Sequence, residues 1–98
     1  MNQETEKYRL IQQIRTLPNR EAVQAIATLQ RQGWLRDGSV KGIDWSYADL
    51  RNADLSGANL SFVKLIGTNL AGANFTRTDL NHADLFEANL SSATFVEA

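Results

Sequence analysis

The chain has 98 residues, of which 43% are hydrophobic, and its formal net charge at pH 7 is −1. This length accommodates one compact unit or a repeat array with a cap, and the near-neutral charge provides no basic excess for binding DNA or RNA. Cysteine is absent, which excludes disulfides, thiolate nucleophiles and cysteine metal sites.

The first predicted element is a helix from about Glu4 to Leu17. Apolar residues recur there at helical spacing, and Glu4 and Glu6 lie near the positive end of the helix dipole. Pro18 ends this helix because proline cannot continue the hydrogen-bond ladder. The apolar face comprises Tyr8, Leu10, Ile11, Ile14 and Leu17.

A second helix is predicted to begin at Asn19, which we expect to act as its N-cap, and to end at Gly33. Gly33 can adopt the left-handed conformation, and Trp34 can fold back onto Leu29 as in a Schellman motif. We expect the two helices to form a hairpin that caps the rest of the chain, with a partner-binding hairpin as the alternative. One face of the second helix carries Ala22, Val23, Ile26, Ala27 and Leu29.

The remainder of the chain repeats every five residues. From Ala48 to the C-terminus the quintets read ADLRN, ADLSG, ANLSF and onward without a gap, and weaker copies precede them as IDWSY from Ile43 and GSVKG from Gly38. A repeat decides the architecture before any helix or strand is assigned. We therefore divide the chain into a helical cap at residues 1–36 and a repeat at residues 37–98.

The period of five has a physical explanation. If the first three residues of a quintet are extended, the small first residue and the large third residue point inward while Asp or Asn points outward. Glycines at the fifth position, Gly42, Gly57, Gly67 and Gly72, then allow the chain to turn. The axis would be filled by Leu50, Leu55, Leu60, Leu65, Leu70, Phe75, Leu80, Leu85, Leu90 and Phe95.

These quintets resemble the pentapeptide-repeat family, whose consensus is A(D/N)LXX, over residues 43–97. The resemblance implies a mainly β fold: a right-handed quadrilateral β-helix with four quintets per coil and about three coils, here with an N-terminal α-helical hairpin cap. At about 4.8 Å per layer, the array would be about 14 Å tall.

We do not expect catalysis, a cofactor or a metal site. Successive carboxylates of the array should diverge, because neighbouring quintets lie on different faces; Asp44 and Asp84 share a face, with Lys64 between them. His82, the only histidine, occupies an outward corner and lacks metal-ligating neighbours. The carboxylates considered are Asp44, Asp49, Asp54, Asp79 and Asp84.

Two binding functions are consistent with the sequence. The first is a non-catalytic protein-interaction scaffold or accessory subunit of a larger assembly, whose protein partner the sequence does not identify. The second comes from the resemblance: some members of the family protect type II topoisomerases by mimicking DNA with a long acidic rod. Residues 43–98 extend over only three coils and place Arg51, Lys64 and Arg77 among seven Asp or Glu residues, so the charge pattern of a duplex is poorly reproduced and the scaffold is favoured.

The coil of twenty residues predicts which side chains share an outward surface. Ser46, Ile66 and Phe86 should form one column, and Gly42, Phe62 and His82 the adjoining corner. Large apolar residues converge on this side, whereas the other outward positions are mostly small or polar, and such patches often mark interfaces. We call this predicted partner-binding surface the interaction face; it comprises Tyr47, Phe62, Lys64, Ile66, His82, Phe86 and Glu87.

The last coil predicts a second contact. Its backbone edge has no further repeat to pair with, so we expect either end-to-end stacking, as in a homodimer, or a covering partner. The predicted end-stacking residues are Leu90, Phe95 and Val96.

The N-terminal segment MNQETEKYRLIQQ is polar, and no segment is apolar over a membrane-spanning length. We therefore expect a bacterial, cytoplasmic protein without a transmembrane segment. Because the resembled family is abundant in photosynthetic bacteria, peripheral association with a membrane complex is compatible with this expectation.

Overall fold

The computed structural model describes residues 3 to 98. Helix α1 spans Gln3–Gln13, a short 3-10 helix follows at Ile14–Thr16, and helix α2 spans Asn19–Gln32. The prediction of one α-helix up to Leu17 was therefore too long. Leu17 has extended backbone angles, φ −82° and ψ 146°, as is favoured for a residue that precedes proline.

The start of α2 differs from the prediction. Pro18 occupies the N-cap position, without a side-chain cap, and Asn19 is already helical. The Asn19 amide instead donates to the backbone carbonyls of Asp49 and Arg51, at 3.2 and 3.0 Å. The predicted N-cap was wrong because the side chain is used in a tertiary contact.

The end of α2 confirms the predicted Schellman motif. Gly33 is left-handed, with φ 77°. Its N–H donates to the carbonyl of Gln30 at 3.1 Å, and the N–H of Trp34 donates to that of Leu29 at 2.9 Å. These two bonds satisfy carbonyls that the helix itself leaves free and turn the chain toward the repeat.

From Asp44 onward, parallel β-bridges join residues that are twenty apart, and all of them lie at the second position of a quintet. Each bridge is a single residue pair, so no continuous strand is assigned between residues 3 and 98. These are the pairings that four quintets per coil require; the right-handed quadrilateral β-helix itself stays a prediction. The bridges are Asp44–Lys64, Asp49–Asn69, Asp54–Asn74, Asn59–Asp79, Lys64–Asp84, Asn69–Asn89 and Asn74–Thr94.

A tight turn separates each quintet from the next. The N–H of Ala53, for example, donates to the carbonyl of Leu50 at 3.1 Å, and Asn52 between them has φ 64°. Every fifth position from 42 to 97 has positive φ, including the four predicted corner glycines. Residues with a Cβ atom adopt this conformation at a cost of about 1–2 kcal/mol. They are Tyr47, Asn52, Phe62, Arg77, His82, Glu87, Ser92 and Glu97.

The interior is filled by the third residue of each quintet. Those of the first two coils are fully buried, whereas Leu80, Leu85 and Leu90 are half-buried and Phe95 is 41% exposed. Burial therefore decreases along the axis toward the C-terminal coil. The fully buried series is Val40, Trp45, Leu50, Leu55, Leu60, Leu65, Leu70 and Phe75.

Two polar residues occupy the inward first position, where alanine is usual. The hydroxyl of Thr68 donates to the carbonyl of Trp45 at 2.9 Å, and that of Thr78 to the carbonyl of Leu55 at 2.7 Å. Both threonines are buried, and these bonds offset the cost of removing a hydroxyl from water.

The cap and the repeat form one hydrophobic core. At their junction the buried Trp45 indole donates to the backbone carbonyl of Ile11 at 3.0 Å. The Gln30 amide donates to the carbonyls of Asp54 and Ser56, at 3.0 and 2.8 Å. The cap thus covers the backbone edge of the first coil.

Candidate interaction face

The backbone of the repeat aligns the interaction face. Lys64 is bridged to Asp44 on one side and to Asp84 on the other, which confirms that these three residues share a column. The N–H of Tyr47 donates to the carbonyl of Ile66 at 2.9 Å, and that of Gly67 to the carbonyl of Phe86 at 2.8 Å. The predicted residues therefore lie in three successive coils of one side.

One corner of the face is an aromatic stack. The rings of Phe62 and His82 are stacked, with centroids 4.8 Å apart and planes at 14°. Lys41, which the sequence analysis did not include, places its ammonium 5.7 Å from the Phe62 centroid, within the range of a cation–π interaction. Lys41 could have been included from the sequence, because it directly precedes the corner glycine Gly42 and so occupies the outward fourth position of the weak first quintet.

At the opposite corner, Tyr47 lies over Gly67. A Cβ atom added to Gly67 would lie 2.5 Å from Tyr47 Cε1, so the absence of a side chain there makes room for the ring. Tyr47 is 71% exposed, and it has positive φ in a conformation that bulky residues seldom adopt. The array thus carries backbone strain to present an aromatic ring, an arrangement that often occurs at functional sites.

The centre of the face is apolar and partly exposed. Ile66 is half-buried, and Phe86 is 66% exposed. The side chain of Asp84 accepts a hydrogen bond from the N–H of Phe86 at 3.0 Å, which fixes the backbone that carries the phenyl ring. Within residues 3 to 98 no ring contact joins Phe86 to Phe62, so the apolar residues are aligned by the backbone rather than packed into one cluster.

The charges of the face are unevenly satisfied. Asp44 contacts Arg15 of the cap at 3.3 Å, and side-chain and backbone hydrogen bonds from Ser46 lower its pKa below the ordinary 3.8, with the charges of Arg15 and Lys64 lowering it further. Among the described residues, Lys64, Asp84 and Glu87 have no oppositely charged side chain within 4.0 Å. Three exposed charges are therefore available to a partner.

The neighbouring side of the repeat has a different character. Asp49 is paired there with Arg51, whose guanidinium nitrogens lie 2.8 and 2.9 Å from the carboxylate. The hydrogen bond from the Arg51 side chain is the main cause that lowers the pKa of Asp49. The corresponding positions in the next two coils carry Asn69, Ala71, Asn89 and Ser91. Large apolar side chains are absent from these columns, so the interaction face is distinct from its neighbour.

The three residues predicted to stack at the C-terminal end differ in position. Phe95 stacks on Phe75 of the preceding coil, with centroids 4.9 Å apart and planes at 6°. Leu90 is half-buried, whereas Val96, at an outward fourth position, is 56% exposed. Phe95 and Leu90 are thus the axial residues of this end, and Val96 lies beside it.

Within residues 3 to 98, no group of three or more His, Cys, Asp or Glu side chains is arranged to hold a metal ion. In the same part of the chain, no helix combines the length and apolar character that crossing a membrane requires.

Comparison with curated proteins gave no significant match. A family model described as pentapeptide repeats matches residues 40–70 and 64–98, with eight copies of the repeat. The two matches together cover more than half of the chain and include every coil that the bridges define. The chain therefore belongs to the pentapeptide-repeat family.

Proposed function

We propose that the chain is a non-catalytic scaffold or accessory subunit that binds another protein through the interaction face, in the bacterial cytoplasm. Its frame would be a right-handed quadrilateral β-helix closed at one end by the helical hairpin. One observation carries the proposal: three aromatic side chains, Tyr47, Phe62 and Phe86, are more than half exposed on a single side of the repeat.

The physical argument rests on what the repeat needs for its own stability. The interior is built from first and third positions, whereas these aromatic residues occupy fourth and fifth positions that point outward. Two of them also hold strained corner conformations. Exposed aromatic residues with a polar rim are typical of interface anchors. A contribution to partner binding is a sufficient reason for their presence.

The test is a pull-down from the native host with the double variant Ile66→Asp and Phe86→Ser. We expect loss of the bound protein with a nearly unchanged melting temperature, because neither side chain belongs to the axial core. The matched control is Ala71→Asp with Ser91→Ala, at the same quintet positions of the neighbouring side. Equal retention of the partner by both double variants would remove the interaction face from consideration.

The alternative function, protection of a type II topoisomerase by DNA mimicry, is less well supported. Cations lie beside several acidic groups: Arg51 pairs with Asp49, and Arg77 lies 3.6 Å from Glu97. A DNA mimic instead needs an extended negative surface. We expect no inhibition or protection in a supercoiling assay with purified gyrase, and either effect at substoichiometric protein would favour the alternative.

A further inference from the structure

We infer that the occupant of the interaction face is a second copy of this chain, related to the first by a two-fold axis. This inference deepens the proposed function and rests on it, since it requires that the face bind protein. It follows from the order of the charges along the face and from the aromatic and apolar side chains that lie in the same two rows.

The charges form an alternating column. Parallel bridges align Asp44, Lys64 and Asp84 in successive coils, so the signs run negative, positive, negative. Asp44 is already paired with Arg15 of the cap, whereas Lys64 and Asp84 have no ion pair within the described residues. The column therefore presents one unpaired cation and one unpaired anion in adjacent rows.

A two-fold axis that lies in the plane of the interface, at right angles to the column, satisfies both charges at once. If the axis passes between the rows of Lys64 and Asp84, each Lys64 faces Asp84 of the second copy, which gives two identical ion pairs. An axis through the row of Lys64 would place the two lysines against each other, and their like charges would repel the two copies. Isologous contacts of this kind are the commonest way in which identical subunits pair.

The same axis keeps each corner on its own side of the interface. Phe62 faces His82 of the second copy, and Ile66 faces Phe86. Glu87 faces Gly67, over which the Tyr47 ring lies. The aromatic and apolar side chains of the two rows thus meet one another. A face that is complementary to itself in both charge and shape favours a second copy over an unrelated protein.

The paired region covers two rows of the repeat, which is small for an interface. Small interfaces belong to weak, transient complexes, so we expect a dissociation constant on the order of micromolar to millimolar. The protein should therefore be largely monomeric when dilute and dimeric when concentrated.

The experiment is sedimentation equilibrium of the purified chain up to a concentration of about 1 mM, the upper limit of that range. We expect the mass to rise toward that of a dimer, and we expect Lys64→Glu and Asp84→Lys each to remain monomeric. Mixing the two variants in equal amounts should restore the dimer, because both ion pairs are then complementary in the mixed species. Asp79→Lys is the matched control, since the Asp79 carboxylate accepts a backbone N–H from Asn81 as that of Asp84 does from Phe86. The control should dimerise like the natural sequence.

Several results would overturn the inference. These are a monomer at every concentration, variants that dimerise undiminished, a mixture that fails to recover, and a control that weakens equally. A dimer that survives both face variants but is lost in Phe95→Asp would assign self-association to the C-terminal end. Failure of the proposed function is separate: a monomeric chain whose partner is still lost in the Ile66→Asp and Phe86→Ser variant would bind a different protein through the same face.

Discussion

The two ends of the repeat differ in how their backbone edges are satisfied. Inside the array the N–H groups of Leu50 and Asn52 donate to the carbonyls of Asn69 and Ala71 in the next coil. The equivalent carbonyls of the first coil, those of Asp49 and Arg51, have no preceding coil and accept from the Asn19 amide instead. One side-chain amide, with its two hydrogens, thus replaces two backbone donors. Gln30 does the same on the next side.

The C-terminal edge has no such substitute among the described residues. The N–H groups of Leu80, Leu85 and Leu90 lie where those of the inner coils donate to the following coil, and they make no backbone hydrogen bond there. Axial burial follows the same order, complete beneath the cap and partial in the last coil. The comparison teaches that the cap contributes hydrogen-bond donors as well as apolar cover.

The largest expected effect separates the two ends with one substitution at one quintet position. Leu65→Asp should unfold the protein, because the side chain is fully buried and an unpaired carboxylate would cost several kcal/mol. Leu90→Asp should fold with a lowered melting temperature, since Leu90 is only half-buried. Thermal melting followed by circular dichroism, which should report β structure plus helix from residues 4–32, checks both. Unchanged melting of Leu65→Asp would contradict an axial core.

A smaller effect tests the donors of the cap. Gln30→Ala removes the amide that donates to the carbonyls of Asp54 and Ser56. Each of these hydrogen bonds contributes about 0.5–1.5 kcal/mol, so losing both should lower the free energy of unfolding by about 1–3 kcal/mol. Gln24→Ala, at an exposed position of the same helix, is the matched control and should change little. Urea unfolding that gives equal losses for the two variants would show that helix propensity, not the cap contact, sets the cost.

A third comparison concerns two corners. Gly42→Ala and Gly67→Ala both place a Cβ atom at positive φ, which costs about 1–2 kcal/mol. At Gly42 the added atom meets open space, whereas at Gly67 it meets the Tyr47 ring. We expect Gly67→Ala to lower the free energy of unfolding more, with a change in tyrosine fluorescence that Gly42→Ala lacks. Identical losses in urea would mean that Tyr47 moves away at no cost.

The smallest effect is on the acid dependence of stability. The pKa values of Asp44 and Asp49 lie below their ordinary 3.8 because of hydrogen bonds from Ser46 and Arg51. The folded state therefore binds fewer protons than the unfolded state in this range, so the contribution is present above about pH 4 and is lost as the pH falls through the folded pKa values. Denaturant unfolding at neutral and acidic pH should show a weaker dependence in the Asp44→Asn and Asp49→Asn double variant. A stronger dependence of stability on pH in the double variant than in the natural sequence would contradict the assignment of these hydrogen bonds.

Much of the fold could be predicted because local and periodic signals determine it. The Schellman end at Gly33 depends on residues adjacent in sequence, and the stack of Phe62 on His82 follows from a separation of twenty. The N-cap at Asn19 could not be predicted correctly, because its amide serves carbonyls thirty and thirty-two residues away. Capping propensity describes only the neighbouring backbone.

The candidate site shows the same limit. The columns of the interaction face were predictable from the period, and the structure aligns Lys64 with Asp44 and Asp84 as expected. The pairing of Arg15 with Asp44 was not, because the sequence alone does not specify where the cap packs on the first coil. The hydrogen bond from Trp45 to Ile11 could not be predicted for the same reason. The sequence shows only that Trp45 lies in a weaker copy of the repeat.

Pairing between residues twenty apart also constrains how the gene can change length. An insertion or deletion that is not a multiple of five would move axial leucines to the surface and outward polar residues into the interior. A change of five keeps every axial residue inside but rotates all later outward residues onto the next side, so Phe86 would no longer share a column with Ile66. Only a change of twenty preserves both the interior and the surface. The interior therefore tolerates length changes in multiples of five, whereas the interaction face tolerates only multiples of twenty and is the more easily lost.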